Sequence, residues 1–344
     1  MGFYTKNGGL IGIGKIAEKR GVYDQIASQI IGDSLFAFSS HSFTNASTTG
    51  RNGPSLAACQ TAYSGAAFLA SYFSVTNGIQ RWTVPESGSY TFTIRGGGGG
   101  NGATGGSSSS NNVGGYGRIL SGTIDLTKGE QLDILIGQQG ADGNPSYNCG
   151  GANGGGGGGT FVYNVTTSTL LLVAGGGGGG AQWTGIDSGT GVNLQHANDG
   201  NDGLDSLGTT APTGGSNGGG GTGTTTLHGC VHGAGGGGGA TGDGGNSGYG
   251  SDGGSAFNNA TTPGQGGGGS YRHGGFGGGG GTGVYTAGGG GGYSGGAGGG
   301  LPSCSCARLT AGGGGGSYYN ATYVTVGSNG SATSQSHGIF TLTA

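Results

Sequence analysis

Two textures alternate along the chain. From Ser34 to Arg95, short stretches rich in aromatic and β-branched residues are separated by Gly, Pro, Asn and Ser. SLFAFSSHSF, GAAFLASYFSV, IQRWTV and SYTFTIR each predict a strand on that pattern. The alternation in SYTFTIR puts Tyr90, Phe92 and Ile94 on one face. Further strands are predicted at RILSGTIDL (118–126), QLDILIG (131–137), TFVYNV (160–165), TLLLVAG (169–175), YVTVG (323–327) and GIFTLT (338–343). They bracket the rest of the chain, so the first and last are expected to share one antiparallel β-sandwich built from 34–95, 117–137, 160–175 and 317–344. Residues 1–33 read differently. IGKIAEKRGVYDQIASQII (13–31) fits one or two short helices broken near Gly21, expected as an α-helical docking segment, with a simple N-terminal cap as the plainer alternative.

Between Gly96 and Gly316 the second texture takes over, with seven unbroken glycine runs of five or six residues at 96–100, 154–159, 175–180, 235–239, 277–281, 288–292 and 312–316. Shorter runs lie at 218–221, 266–269 and 298–300. A flexible linker is the plain reading of such composition. Against it stand the repeated block length, the direct continuation of strands into runs at Arg95-Gly96 and Ala174-Gly175, and the scarcity of charge and proline. Ordering glycine costs about 0.5–1 kcal/mol more than ordering alanine, so such runs are tolerable only where a Cβ cannot fit. A left-handed helix of the polyproline II type rises about 3.1 Å per residue and makes no internal hydrogen bonds, so its buried amides need neighbours. Glycine on all three faces lets such a helix be surrounded. The segment 96–316 is therefore expected to be an inserted bundle of polyglycine II helices, with unbroken runs inside and interrupted ones nearer the surface. Collagen is excluded by only 6 prolines and the absence of a G-X-Y register.

Composition narrows the function. With 100 glycines among 344 residues, 31% hydrophobic and 7% charged, side-chain burial cannot order the whole chain. A net charge of −3 with scattered Lys and Arg argues against nucleic acid and anionic membranes as partners. No stretch is long and apolar enough for membrane insertion, and LIGIG (10–14) is too short for a secretory signal core, so the protein is expected to be made in a cytoplasm. Five cysteines in a long chain are not a disulfide framework.

Few motifs carry chemistry. G-x-G-x-x-G patterns arise here from composition alone, and no phosphate-cradling G-x-x-x-x-G-K-[ST] loop occurs. His228, Cys230 and His232 are candidate zinc ligands by residue type, as are Cys304 and Cys306, but neither spacing matches a common zinc module. Asp199, Asp202 and Asp205 have a calcium-loop rhythm without its bidentate Glu, and a polar turn is the plainer account. No cofactor, metal or enzymatic activity is expected. Aromatics beside the runs, such as Phe276 and Tyr293, are expected to cap the bundle. Tyr147, Trp183, Tyr271, Arg272 and His273 sit in irregular connections, where a rigid scaffold presents recognition loops.

Two resemblances sharpen this. WTVPESGSYTFTIRGGGGGNGATGG (82–106), LDILIGQQGADG (132–143), GGGGGTFVYNVTTSTLLLVAGGGGG (155–179), GGFGGGGG (274–281) and GGGGGYSGG (288–296) are similar to the glycine-rich extracellular region of the anaplastic lymphoma kinase and leukocyte receptor tyrosine kinases. That resemblance implies a tumour-necrosis-factor-like, jelly-roll-type sandwich carrying a polyglycine-helix insertion that serves in ligand binding. The chain departs from the family in showing no signal peptide, membrane span or kinase, and too few cysteines for its bridges. HSFTNASTTGRNGPSLAACQTAY (41–63), with the pattern T-G-x-x-G-P-S-L-x-x-C-x-x-x-Y, resembles a short module of tail-associated virion proteins of tailed phages. Phage tail-fibre tip adhesins are similar in principle, since they too contain glycine-rich helical bundles. Together these imply a tail-fibre or tail-tip adhesin of the virion, made in the host cytoplasm. It would be docked to other tail proteins through 1–33, homo-oligomeric, and directed at a host polysaccharide or outer-membrane protein. A purely architectural tail or decoration protein and a secreted receptor-type ligand-binding domain are the alternatives.

Overall fold

The computed structural model describes residues 34–103, 113–144, 153–181, 197–198, 200, 202–206, 212–225, 233–248, 250–269, 271–300 and 310–344. The expected docking helix at 1–33 lies outside them. The strands are β1 (Ser40–Phe43), β2 (Phe73–Thr76), β3 (Ile79–Thr83), β4 (Gly88–Arg95), β5 (Arg118–Leu126), β6 (Gln131–Leu135), β7 (Thr160–Asn164), β8 (Thr169–Ala174), β9 (Tyr318–Tyr319), β10 (Val324–Ser331) and β11 (Ile339–Thr343). One short helix, α1 (Leu56–Ala62), is found among the described residues.

The chain is mainly β, in two antiparallel sheets. One has the order β1-β11-β4-β5-β10 and the other β2-β3-β6-β7-β8-β9. Chain ends meet as the sequence leads one to expect, with Phe43 of β1 opposite Phe340 of β11, and β11 then pairing with β4. Strand alternation builds the core between the sheets: Phe43, Ile94, Leu120 and Phe340 from one meet Trp82, Leu132, Ile134 and Leu172 from the other, all at most 1% exposed. Tyr90, Phe92 and Ile94 share the buried face. The β2–β3 hairpin turns on Asn77-Gly78, both at positive φ (50° and 80°), the backbone that a type I′ turn requires.

Two elements were not foreseen. Helix α1 interrupts a region read as wholly β, because Ser55 caps it by accepting the Ala58 amide (3.2 Å) and the short run behind it is alanine-rich. β9 is only two residues long and leaves no periodic signal. β10 runs beyond the expected YVTVG through Ser331, with its register shifting between Val326 and Ser328.

Six strands continue out of one end of the sandwich into the glycine-rich region. β4, β6 and β8 lead out into 96–100, 136–144 and 175–180; 113–117, 154–159 and 312–316 lead into β5, β7 and β9. Antiparallel order makes these ends coincide. In a sandwich, facing sheets stand about 10 Å apart because side chains fill the space. Beyond the strands that spacing collapses. Gly97 and Gly100, extending β4, donate to Gly158 and Gly155, extending β7 of the other sheet (both 2.8 Å), and Gly177 and Gly180, extending β8, donate to Gly97 and Gly100 (both 2.9 Å).

The bonding repeats every three residues. Gly176 and Gly179 donate to Gly291 and Gly288, Gly156 and Gly159 to Gly280 and Gly277, and Gly289 and Gly292 to Gly235 and Gly238. A strand repeats every two. Run 288–292 donates to segments around 154–157, 235–238 and 313, and accepts from 176–179, 280 and 296, so six neighbours surround it. All seven long runs are buried, whereas 218–221 and 266–269 are partly exposed; 298–300, though short, is buried.

A second apolar cluster lies on the outward face of the second sheet, where Leu135, Phe161 and Val173 meet Ala240 and Phe276 of the glycine-rich region. It welds the two parts together.

Two outcomes follow from this packing. A Cβ at Gly156 would sit 1.9 Å from the Gly289 carbonyl oxygen, while one at Gly330 would meet nothing within 4 Å. Denaturant unfolding should therefore show Gly156→Ala destabilising by about 3 kcal/mol or more, and Gly330→Ala close to neutral. Burial among Phe43, Tyr63 and Phe68 (ring centroids 4.6–4.8 Å) holds the His41 imidazole down at about 4, against an ordinary 6.5. The unfolded chain then takes up a proton near pH 6.5 that the fold refuses until about pH 4, so stability is full above that window and falls as pH drops through it. His337, lowered by burial and by Arg95, adds the same sign. Thermal midpoints recorded from pH 7 to pH 4 should fall, and fall less in His41→Phe; an unchanged pH slope in that variant contradicts the assignment.

Candidate functional site

The loop before α1 ties the sandwich to the glycine-rich region. Gly50 O accepts the Phe276 amide (2.8 Å) and Arg51 O the Gly266 amide (2.9 Å), while the Arg51 Nε donates back to Gly266 O (2.9 Å). Asn52 O accepts from Gln138 Nε2 (3.0 Å), and Asn52 Oδ1 from Gln265 Nε2 (2.7 Å). Gly53 is pressed against Gly78 and the Phe276 ring, where a Cβ would come within 2.7 Å. Cys59 is buried, and Tyr63 accepts the Thr44 amide (2.8 Å) and donates to Gln80 Oε1 (2.8 Å). Gly50, Gly53, Ser55, Cys59 and Tyr63 of the 49–63 pattern thus hold structure, whereas Thr49 and Leu56 are exposed.

Of the recognition candidates, Tyr271, Arg272 and His273 are described. They form the connection between segments 266–269 and 274–281, beside this loop. Arg272 is pinned by its backbone to Thr282, donating to Thr282 Oγ1 (3.0 Å) and accepting the Thr282 amide (2.9 Å). Its Nε is buried without a hydrogen-bond partner among the described residues. His273 is exposed, with its carbonyl accepting the Ala141 amide (3.2 Å), and its ring lies over Gly50. Asp252 faces Arg51 at 4.0 Å on the same side. Tyr147 and Trp183 lie outside the described residues, as do His228, Cys230, His232, Cys304, Cys306 and Asp199.

Asp205 accepts the Gly214 amide (2.8 Å) while Gly203 and Leu204 donate to Gly215 and Gly314, so this stretch runs as a segment of the glycine lattice. Phe276 and Tyr293 pack on the second sheet, with Tyr293 stacked on Tyr318 at 4.6 Å. Cys59 and His41 are held neutral by burial, the thiol pushed up to about 12 and the imidazole down to about 4; an activated Cys–His pair needs the opposite shifts. Among the described residues no group of three or more His, Cys, Asp or Glu is placed to hold a metal, and no helix is long and apolar enough to cross a membrane.

Two concavities flank the weld. One, of 260 Å³, opens between Asn52, Asn77, Thr262 and Phe276. The other, of 370 Å³, has Asp133, Tyr163 and Leu170 on its sheet side and Phe257 and Asn258 on its glycine-rich side. The second escaped sequence reasoning, although the alternation in QLDIL already places Asp133 opposite in facing to Leu132 and Ile134. Phe257, far off in sequence, carries no such signal.

No family model matches the chain. It is 30% identical, over 105 residues, to the leukocyte tyrosine kinase receptor of the mouse, Mus musculus, a match covering 30% of this chain and 11% of that receptor. The chain therefore spans about a tenth of the length of that curated relative.

Phe276 is the residue on which this junction turns, being 1% exposed and touching the sheet, the Asn77-Gly78 turn and the 50–53 loop. Truncation to Ala should cost about 3–5 kcal/mol in denaturant unfolding. Amide exchange of Gln138, which donates to Phe276 O, should accelerate with it.

Proposed function

We propose that this chain is a non-enzymatic recognition protein in which a bundle of polyglycine II helices, held by a β-sandwich, presents loops to a binding partner. What supports the helical reading is the three-residue repeat of amide bonds, since a threefold screw is the one simple backbone that aims successive amides at three neighbours. Such a lattice is stiff and chemically bland. Its connections, including Tyr271–His273, are the places where side chains of varied chemistry emerge.

The module at 41–63 favours a setting in a phage tail, as a tail-fibre or tail-tip adhesin docked through 1–33 to other tail proteins and oligomeric in the virion. Its target would be a host polysaccharide or outer-membrane protein. The second reading, a receptor-type ligand-binding domain, is favoured by the 30% identity with the leukocyte tyrosine kinase receptor. Both assign the glycine-rich region to recognition.

Purified protein should bind host cells, and Trp183→Ala or Tyr271→Ala should weaken binding about tenfold, as loss of an aromatic anchor does. Cell binding absent from the unaltered protein, together with its detection in purified particles, would instead make it an architectural component.

A further inference from the structure

We infer that the 370 Å³ cleft on the outward face of the second sheet is a binding site for a neutral saccharide. This deepens the recognition reading and rests on it. The volume falls in the range of small-ligand sites, about 300–1,000 Å³.

The sheet side of the cleft is lined by Ile79, Asp133, Tyr163 and Leu170, the last three in one cross-strand row that Arg81 extends beyond the lining. Register sets Arg81 opposite Asp133, Asp133 opposite Tyr163, and Tyr163 opposite Leu170. Asp133 accepts two hydrogen bonds from the Arg81 guanidinium, Nε and Nη2 each at 2.7 Å. The paired charges cancel, so a charged ligand finds no complementary excess here. Polar oxygens and nitrogens remain at the surface all the same, because the Arg81 side chain is 42% exposed and that of Asp133 18%. An uncharged ligand rich in hydroxyls suits such a surface, as it can donate to the Asp133 carboxylate and exchange hydrogen bonds with the Tyr163 hydroxyl, both of which line the cleft.

Two aromatic rings supply the apolar part. Tyr163 and Phe257 stand 5.9 Å apart, inclined at 51°, and Phe257 is fixed by stacking on buried Phe161 at 4.9 Å. Rings at that spacing touch each other, so together they offer one apolar corner, not a slot, for the C–H face of a pyranose. The Tyr163 hydroxyl and the Asn258 side-chain amide make no hydrogen bond among the described residues, and both border the cleft. The backbone on the far side is anchored, with Phe257 and Asn258 donating to Gly239 and Ala240 (3.0 and 3.2 Å). Aromatic faces, unused amide and hydroxyl groups and a self-neutralised ion pair on rigid elements together match a neutral sugar better than a peptide, which needs an unpaired strand edge or a deeper apolar groove.

The test uses the full chain on a printed array of neutral hexose and N-acetylhexosamine oligosaccharides beside sialylated and sulfated ones. The strongest neutral binder is then titrated calorimetrically against wild type, Tyr163→Ala, Phe257→Ala and Tyr163→Phe. Binding of neutral glycans, reduced about tenfold by each alanine variant (about 1.4 kcal/mol) and less by Tyr163→Phe, with the melting temperature retained in the two Tyr163 variants, bears the inference out. No binding, binding of acidic glycans only, or affinities unchanged in both Tyr163 variants overturns it. Cell binding that persists at wild-type strength in Tyr163→Ala overturns the cleft alone; failure of the wild type to bind any cell removes the recognition role itself.

Discussion

The whole architecture depends on the missing Cβ. A β-sandwich keeps its layers apart because side chains must go between them, and its backbone bonds run only sideways within each sheet. Where β4 and β8 pass into unbroken glycine, the filling disappears and the layers close to hydrogen-bonding distance, as in Gly97 to Gly158 at 2.8 Å. The sideways network becomes three-dimensional. Backbone amides, which every sheet must satisfy anyway, then replace the apolar core as the source of order for the glycine-rich region.

The sandwich and the lattice need each other for different reasons. Unbroken glycine carries the highest conformational entropy of any sequence, and nothing local tells one run which neighbour to choose. Strands anchored by Ile94, Leu135 and Ala174 deliver runs already aligned, in register and at one end. The lattice in turn covers Leu135, Phe161 and Val173 on a face that the sandwich alone would expose. Arg51, Asn52 and Phe276 close the junction with specific bonds, so the relative placement does not rest on glycine alone.

Much of this was legible in the residues. Aromatic and β-branched stretches bounded by turn residues marked ten strands, and the direct passage from Arg95 or Ala174 into glycine marked where the second architecture begins. The burial of all seven long runs agrees with the argument that only unsubstituted backbone tolerates complete enclosure. Less legible were features set by tertiary contact: α1, whose signal is a cap and a few alanines, and β9, two residues that are a strand only because β8 lies beside them. The candidate site divides the same way. Tyr271–His273 could be named from their place between runs, whereas the pairing of Tyr163 with Phe257 depends on a fold-back that no local pattern records.

The continuity of strands with glycine segments has a mechanical consequence. Three chains leave the sandwich and three return, all through one end, so a pull along the axis of the lattice loads the cross-links of many adjacent segments at once. Failure would require shearing whole ladders of amide bonds together, where a peeled hairpin releases them singly. A load applied along these segments is therefore shared by many backbone bonds, and resistance is greatest along the direction in which the strands pass into the lattice.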